Sequence, residues 1–174
     1  MERRQAKFSQ NSPKTLKRRK KRERNDPGGS RLILFCDTSA LIKLYFEEAY
    51  SDQMEQLAER ASTIAVSRIT WVEAMAGLSR RAREQPLDLS AIENCKQILR
   101  EAWSNFAVIE VSQTLVEAAG ELADAFALRA YDSVQLASAR IMKQKTSEEF
   151  LFACFDRRLN KAASMMSIDS LGLT

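Results

Sequence analysis

No histidine occurs among the 174 residues of the chain, and that absence removes whole classes of chemistry. An imidazole general base, a Ser-His-Asp triad, a zinc site with histidine ligands and histidine-pair ribonuclease chemistry are all excluded. Catalysis near neutral pH then falls to carboxylates, acting with metal ions. Glycine is scarce as well: the five present (Gly28, Gly29, Gly77, Gly120, Gly172) form neither GxGxxG nor a P-loop, so no glycine loop cradles a phosphate. The three cysteines (Cys36, Cys95, Cys154) are odd in number and contain no CxxC, which argues against a disulfide framework or a thiolate metal site and suits a reducing, cytoplasmic setting. Long hydrophobic runs are missing too. Leu32 to Cys36, the apolar run nearest the start, falls far short of the roughly 18 to 20 residues of a membrane span, so no membrane association is expected.

What remains is a chain with 45% apolar residues, enough for one core. Its charge divides sharply. Residues 1–30 hold 11 Lys and Arg against 3 Asp and Glu, a net of +8, whereas residues 31–174 hold 16 against 20, a net of −4. The first segment carries Lys17-Arg18-Arg19-Lys20-Lys21-Arg22 and ends in Asn25-Asp26-Pro27-Gly28-Gly29-Ser30, the composition of a disordered arm and linker. Either nucleic acid phosphates or solvent alone would satisfy such an arm. The folded domain is expected over 31–174.

Within it, apolar runs rich in strand formers predict strands at Leu32 to Cys36, Thr63 to Val66, Phe106 to Val111 and Phe150 to Cys154. Helical patterns fall between them, at Ala40 to Tyr45, Ser51 to Arg60, Ile69 to Ala82, Ser90 to Trp103, Leu115 to Leu128 and Asp132 to Lys143, with a last short helix from Arg157 to Ala163. On the helix from Ile69, the residues Ile69, Val72, Met75 and Ala76 form the expected apolar side. Strands alternating with helices imply right-handed crossovers and a mostly parallel central sheet in a three-layer α/β/α arrangement.

Such sheets collect functional groups at the carboxyl ends of their strands. Asp37 directly follows the first strand, Asp156 comes two residues after the fourth, Asp132 opens a helix, and Glu73 sits early in the helix after the second strand. Four acids from distant parts of the chain can thus converge. Hard divalent ions such as Mg²⁺ or Mn²⁺ take oxygen ligands and activate water for phosphodiester hydrolysis. Each acid also has a plain structural use: Asp37, Asp132 and Asp156 as helix caps or turn acids, and Glu73, about 40° beyond Ile69 on the helix, as the edge of an apolar stripe. Arg80, Arg81 and Arg83 suit either RNA phosphates or the negative end of their helix. Trp71 and Trp103 read as core or interface anchors, and Glu121 and Asp124 as solvent-facing acids.

Four segments resemble one family. Leu34 to Tyr45 with its Asp37-Thr38-Ser39 start, Ser67-Arg68-Ile69-Thr70-Trp71-Val72-Glu73-Ala74, Leu128-Arg129-Ala130-Tyr131-Asp132-Ser133-Val134-Gln135-Leu136-Ala137, and Phe155-Asp156-Arg157-Arg158-Leu159 are similar in content and order to PIN-domain proteins of the VapC toxin type. The resemblance spans Arg31 to the C-terminus. It implies a PIN-like fold over 31–174 and a Mg²⁺- or Mn²⁺-dependent endoribonuclease acting on RNA, often a homodimer, paired with a VapB-type antitoxin protein. It also implies that Asp37, Glu73, Asp132 and Asp156 form the acidic, metal-binding quartet, with Ser39 as a hydroxyl near the metal. Gln135 stands where the family often has histidine, and Cys154 where Ser or Thr often precedes the last acid, so hydrogen bonding behind the carboxylates is expected to differ. The competing expectation is a catalytically quiet RNA-binding or protein-interaction module of the same fold.

Overall fold

A computed structural model describes residues 31–171, and the basic arm lies outside them. Four strands, β1 (Leu32–Cys36), β2 (Ala61–Ser67), β3 (Ala107–Ile109) and β4 (Glu149–Ala153), form one sheet in the order β3-β2-β1-β4. Every pairing is parallel. Helices α1 (Thr38–Ile42) and α2 (Ser51–Arg60) connect β1 to β2. Helices α3 (Ile69–Glu84) and α4 (Leu89–Ala102) connect β2 to β3, α5 (Gln113–Phe126) and α6 (Ala130–Gln144) connect β3 to β4, and α7 (Arg157–Met165) follows β4.

The period-two alternation of β1 generates the layers. Leu32, Leu34 and Cys36 pack into a core with α1 to α4, whereas Ile33 and Phe35 pack into a second core with α5 to α7. Since β1 is buried on both faces, its sequence reads as a continuous apolar run and not as an alternation. Phe35 anchors the second core, with its ring centroid 6.3 Å from Phe150 and 5.8 Å from Phe152. Trp71, Trp103 and Phe106 form an edge-to-face ladder beside the first core, with centroids 4.9 and 5.8 Å apart, in the packing role expected of the tryptophans.

Several boundaries and one face differ from the sequence expectation. Helix α1 is a single turn that ends at Ile42, because Leu44, Tyr45 and Phe46 break away into the core through tight turns. Strand β3 spans three residues, not six, since pairing with β2 stops at Ile109. The buried face of α3 is Thr70, Ala74 and Leu78, while Val72 and Ala76 are exposed. Thr70 displaces the apolar expectation because its hydroxyl finds a buried amide partner, Gln135.

Beyond β4, Phe152 bridges to Ser170: Phe152 N donates to Asp169 O at 2.8 Å and Leu171 N to Phe152 O at 3.2 Å. The strand order sets the location of the site. The chain moves from β1 through β2 to β3 and then returns to the opposite side of β1, so the reversal lies between β1 and β4. A crevice is expected at the carboxyl ends of those two strands.

Candidate active site

Asp37 and Asp156 emerge at that crevice, and both cap helices. Asp37 Oδ1 accepts from Ala40 N at 2.8 Å at the start of α1, and Asp156 Oδ1 accepts from Leu159 N at 2.9 Å at the start of α7. The structural use read from the sequence is therefore real, and it fixes where each carboxylate points. Ser39 Oγ also donates to Asp37 Oδ1, at 2.8 Å, and accepts from Phe155 N at 3.1 Å, tying the β1 end to the β4 end. Cys154, buried at the end of β4, accepts from Asp156 N through Sγ at 3.2 Å. Burial and the neighbouring Asp37 charge push its thiol up, away from reactivity.

Asp37 is only 7% exposed. Burial pushes its carboxyl up to about 6, the hydrogen bonds from Ala40 and Ser39 oppose that rise, and the negative charge of Glu73 adds to it. Two acids from β1 and α3 thus stand within electrostatic reach of one another.

Glu73 lies in the second turn of α3, half-buried as the flank position implied. Thr38 Oγ1 donates to its Oε2 at 2.6 Å and Gln135 Nε2 donates to the same oxygen at 2.7 Å. Both bonds fall on one oxygen, so Oε1 has no hydrogen-bond partner among the described residues. Gln135, on α6, is 3% exposed, and its Nε2 also stands 3.1 Å from Thr38 Oγ1 and 3.0 Å from Thr70 Oγ1. This amide is the hub that joins α1, α3 and α6. Reading the sequence flagged Gln135 as a departure but missed Thr38 and Thr70, whose partners lie 35 to 97 residues away.

Asp132 is in the first turn of α6 and is held by Arg129 through two bonds, Nε to Oδ2 at 2.7 Å and Nη2 to Oδ1 at 3.2 Å. That arginine was also missed, although its i,i+3 spacing to Asp132 was visible. Its guanidinium is held in the charged form chiefly by the hydrogen bond to Asp132, and the charges of Asp156 and Glu73 add to this. One cation therefore senses three of the four acids.

Among the described residues, no three acidic, histidine or cysteine side chains stand close enough to form a metal cage in this arrangement. The donor chemistry nevertheless suits a hard divalent ion: the quartet offers only oxygen, and the buried Asp37 beside Glu73 needs positive charge. Asp37, Glu73, Asp132 and Asp156 are the residues that would hold such an ion. Arg129 occupies both oxygens of Asp132 and would compete with it. The side chain of Arg129 is 77% exposed, so the pair is weak. Arg129→Gln is expected to tighten Mn²⁺ binding by about two- to fivefold, read by titration calorimetry. Unchanged or weaker binding would show that Arg129 does not compete.

The other residues singled out in the sequence have the following surroundings. Arg81 pairs with Glu48 and lies over the Phe46 ring, 4.5 Å from its centroid, which pins the 43–50 segment to α3, while Arg80 is 4.0 Å from Glu84 on the helix surface. Glu121 and Asp124 face solvent on α5. All three cysteines are buried and none forms a disulfide.

Residues 34–165 match the PIN domain family. Two Mycobacterium tuberculosis proteins, Ribonuclease VapC45 and Ribonuclease VapC49, are each 30% identical over 131 residues, covering 75% of this chain and 89% of theirs. Among solved structures, a toxin-antitoxin complex from Klebsiella pneumoniae has a chain 24% identical with a TM-score of 0.53, covering 75% of this chain and 90% of that one. A Pyrobaculum aerophilum protein is similar at 19% identity and a TM-score of 0.58, over 80% of this chain and 83% of its own. These structural likenesses extend to the fold.

Proposed function

The chain belongs to the PIN domain family, and from that premise we propose that it is a metal-dependent endoribonuclease, the toxin of a toxin-antitoxin pair. The observation that carries this reading is the Asp37 carboxylate, buried at the strand-order reversal with Glu73 beside it. A purely structural cap gains nothing from a second negative charge nearby. The ribonuclease names of the two 30% identical relatives support the substrate class.

In this reading the cofactor is Mg²⁺ or Mn²⁺, held by Asp37, Glu73, Asp132 and Asp156. When bound, the ion supplies charge that acidifies water and neutralises the phosphodiester. The chain's own residues do the positioning. Thr38 and Gln135 hold Glu73 Oε2, which leaves Oε1 to orient the attacking water or to bind the ion. Ser39 and Ala40 hold Asp37 Oδ1, and Leu159 N holds Asp156 Oδ1, so these carboxylates keep their directions without reorganising. The exposed guanidinium of Arg129, once off Asp132, can meet a phosphate oxygen.

The partners in this reading are RNA and a VapB-type antitoxin protein that covers the acidic crevice, with a second copy of the chain as a homodimer. Among the described residues, no helix is long and apolar enough to cross a membrane. The test is cleavage of a labelled RNA by the purified full chain with Mn²⁺ or Mg²⁺. Cleavage that EDTA abolishes and added metal restores is expected. RNA that stays intact with metal present would sink the nuclease reading in favour of a quiet binding module.

A further inference from the structure

We propose that Tyr50, backed by Phe155, stacks an unpaired base of the RNA next to the phosphodiester at the acidic crevice. The proposal rests on the ribonuclease reading and deepens it. Its first support is a backbone outlier. Tyr50 sits at the entry of α2 with φ 72° and ψ 8°, the left-handed region, and makes no side-chain capping bond there. A bulky residue in that conformation is strained in a way that glycine or asparagine would largely avoid. The sequence keeps an aromatic ring where the backbone disfavours it, and 53% of that residue is exposed.

The second support is the mounting of the ring. Its centroid lies 5.4 Å from that of Phe155, with the planes inclined by 30°. Lys43 Nζ lies 4.7 Å from the Phe155 centroid and 3.3 Å from Glu48, filling in around the pair. Phe155 directly precedes Asp156 and reaches Asp37 through the Ser39 hydroxyl. The platform is therefore fastened to two of the four acids.

Electrostatics gives the platform a purpose. Residues 31–174 carry a net charge of −4, and the crevice itself is lined by carboxylates. Such a surface repels the phosphates on either side of the one being cut. Stacking draws on the face of the base and is indifferent to that repulsion. A paired base inside a helix offers no free face, so a platform of this kind selects a single strand.

The experiment measures binding of a fluorescent single-stranded RNA to the full chain in EDTA, by anisotropy, for wild type, Tyr50→Asn and Tyr50→Trp. Asparagine removes the ring and tolerates the left-handed backbone, so folding is preserved, which a thermal melt verifies. Tyr50→Asn is expected to lose about fivefold to a hundredfold in affinity, and Tyr50→Trp to bind within about twofold of wild type. An abasic nucleotide at one position beside the cleaved bond should weaken wild type by the same factor and leave Tyr50→Asn no weaker. In cleavage assays the loss should fall chiefly on KM. Affinity unmoved by Tyr50→Asn, or additive losses from the variant and the abasic site, would each overturn the proposal. Binding that needs Tyr50 in a protein that never cleaves would overturn the nuclease reading alone. Cleavage that ignores Tyr50 would overturn the stacking alone.

Discussion

Asp37→Asn is expected to make the protein more stable at pH 7 while reducing RNA cleavage by about a hundredfold to a thousandfold. The carboxyl rises from 3.8 to about 6 on folding, mainly through burial. Between those values the folded chain keeps a proton that the unfolded chain has lost, so stability is full below about pH 3.8 and declines as pH rises through 6. At pH 7 the ionised side chain costs about 3 kcal/mol relative to its neutral form. Asparagine is neutral throughout and remains a good N-cap that can accept from Ala40 N and Ser39 Oγ. Its melting midpoint should then exceed that of wild type by roughly 3 to 10 °C at pH 7 in EDTA, with the difference vanishing near pH 4. Thermal melts from pH 4 to 8 measure this. A variant that melts below wild type at pH 7 would show that the buried charge is already compensated. Added Mn²⁺ should raise the midpoint of wild type and leave that of the variant nearly unchanged, because binding stabilises only the form that binds.

The second large effect is at Gln135. Gln135→Leu removes the amide that holds Glu73 Oε2 and bridges to Thr38 and Thr70. An NH₂ group has two hydrogens for these three acceptors, and the charged carboxylate takes the stronger bond. Losing groups that orient a metal-site ligand typically costs about 10- to 100-fold in activity or metal affinity, and that is the loss expected in kcat. Stability should fall by about 1 to 3 kcal/mol, since Leu is apolar and leaves the buried Thr70 hydroxyl short of a partner. Gln135→Glu provides the contrast. A carboxyl at 135 can donate to Glu73 Oε2 only while the pair shares a proton, so its activity should fall as pH rises and that proton is lost, which Gln135→Leu cannot reproduce. A pH–rate profile for both variants decides it, and identical profiles would remove Gln135 from any positioning role.

The sheet and the places of Asp37 and Asp156 at its carboxyl ends were readable in the sequence for the same reason. A parallel strand buried on both faces is a short apolar run, and the first polar residue past its carboxyl end stands by construction at the crevice. Asp37 and Asp156 needed no more than that, and the resemblance across Leu34 to Leu159 grouped them with Glu73 and Asp132. The hidden part was everything that holds the acids in place. Thr38, Thr70 and Gln135 form one network across three helices, and no local pattern announces a bond between residues 62 or 97 apart. The same network explains the misplaced face of α3: hydropathy favoured Val72 and Ala76, but the buried position went to Thr70 because it has a polar partner. Arg129 failed for another reason. Its spacing to Asp132 was plain, yet an acid paired within its own helix turn and an acid free for a cation look alike in sequence.

Both margins of the sheet limit how this protein can meet another. Along β4, Phe152 already exchanges backbone bonds with Asp169 and Leu171, so its outward groups are spoken for. At the other margin β3 contributes three residues, too few to template a lasting pairing with an incoming strand. Among the described residues, either margin therefore offers only a short edge for strand addition. A partner protein thus finds more surface on the helices and loops than along the strands, and specificity gained there rests on shape and charge instead of on the shared grammar of the backbone.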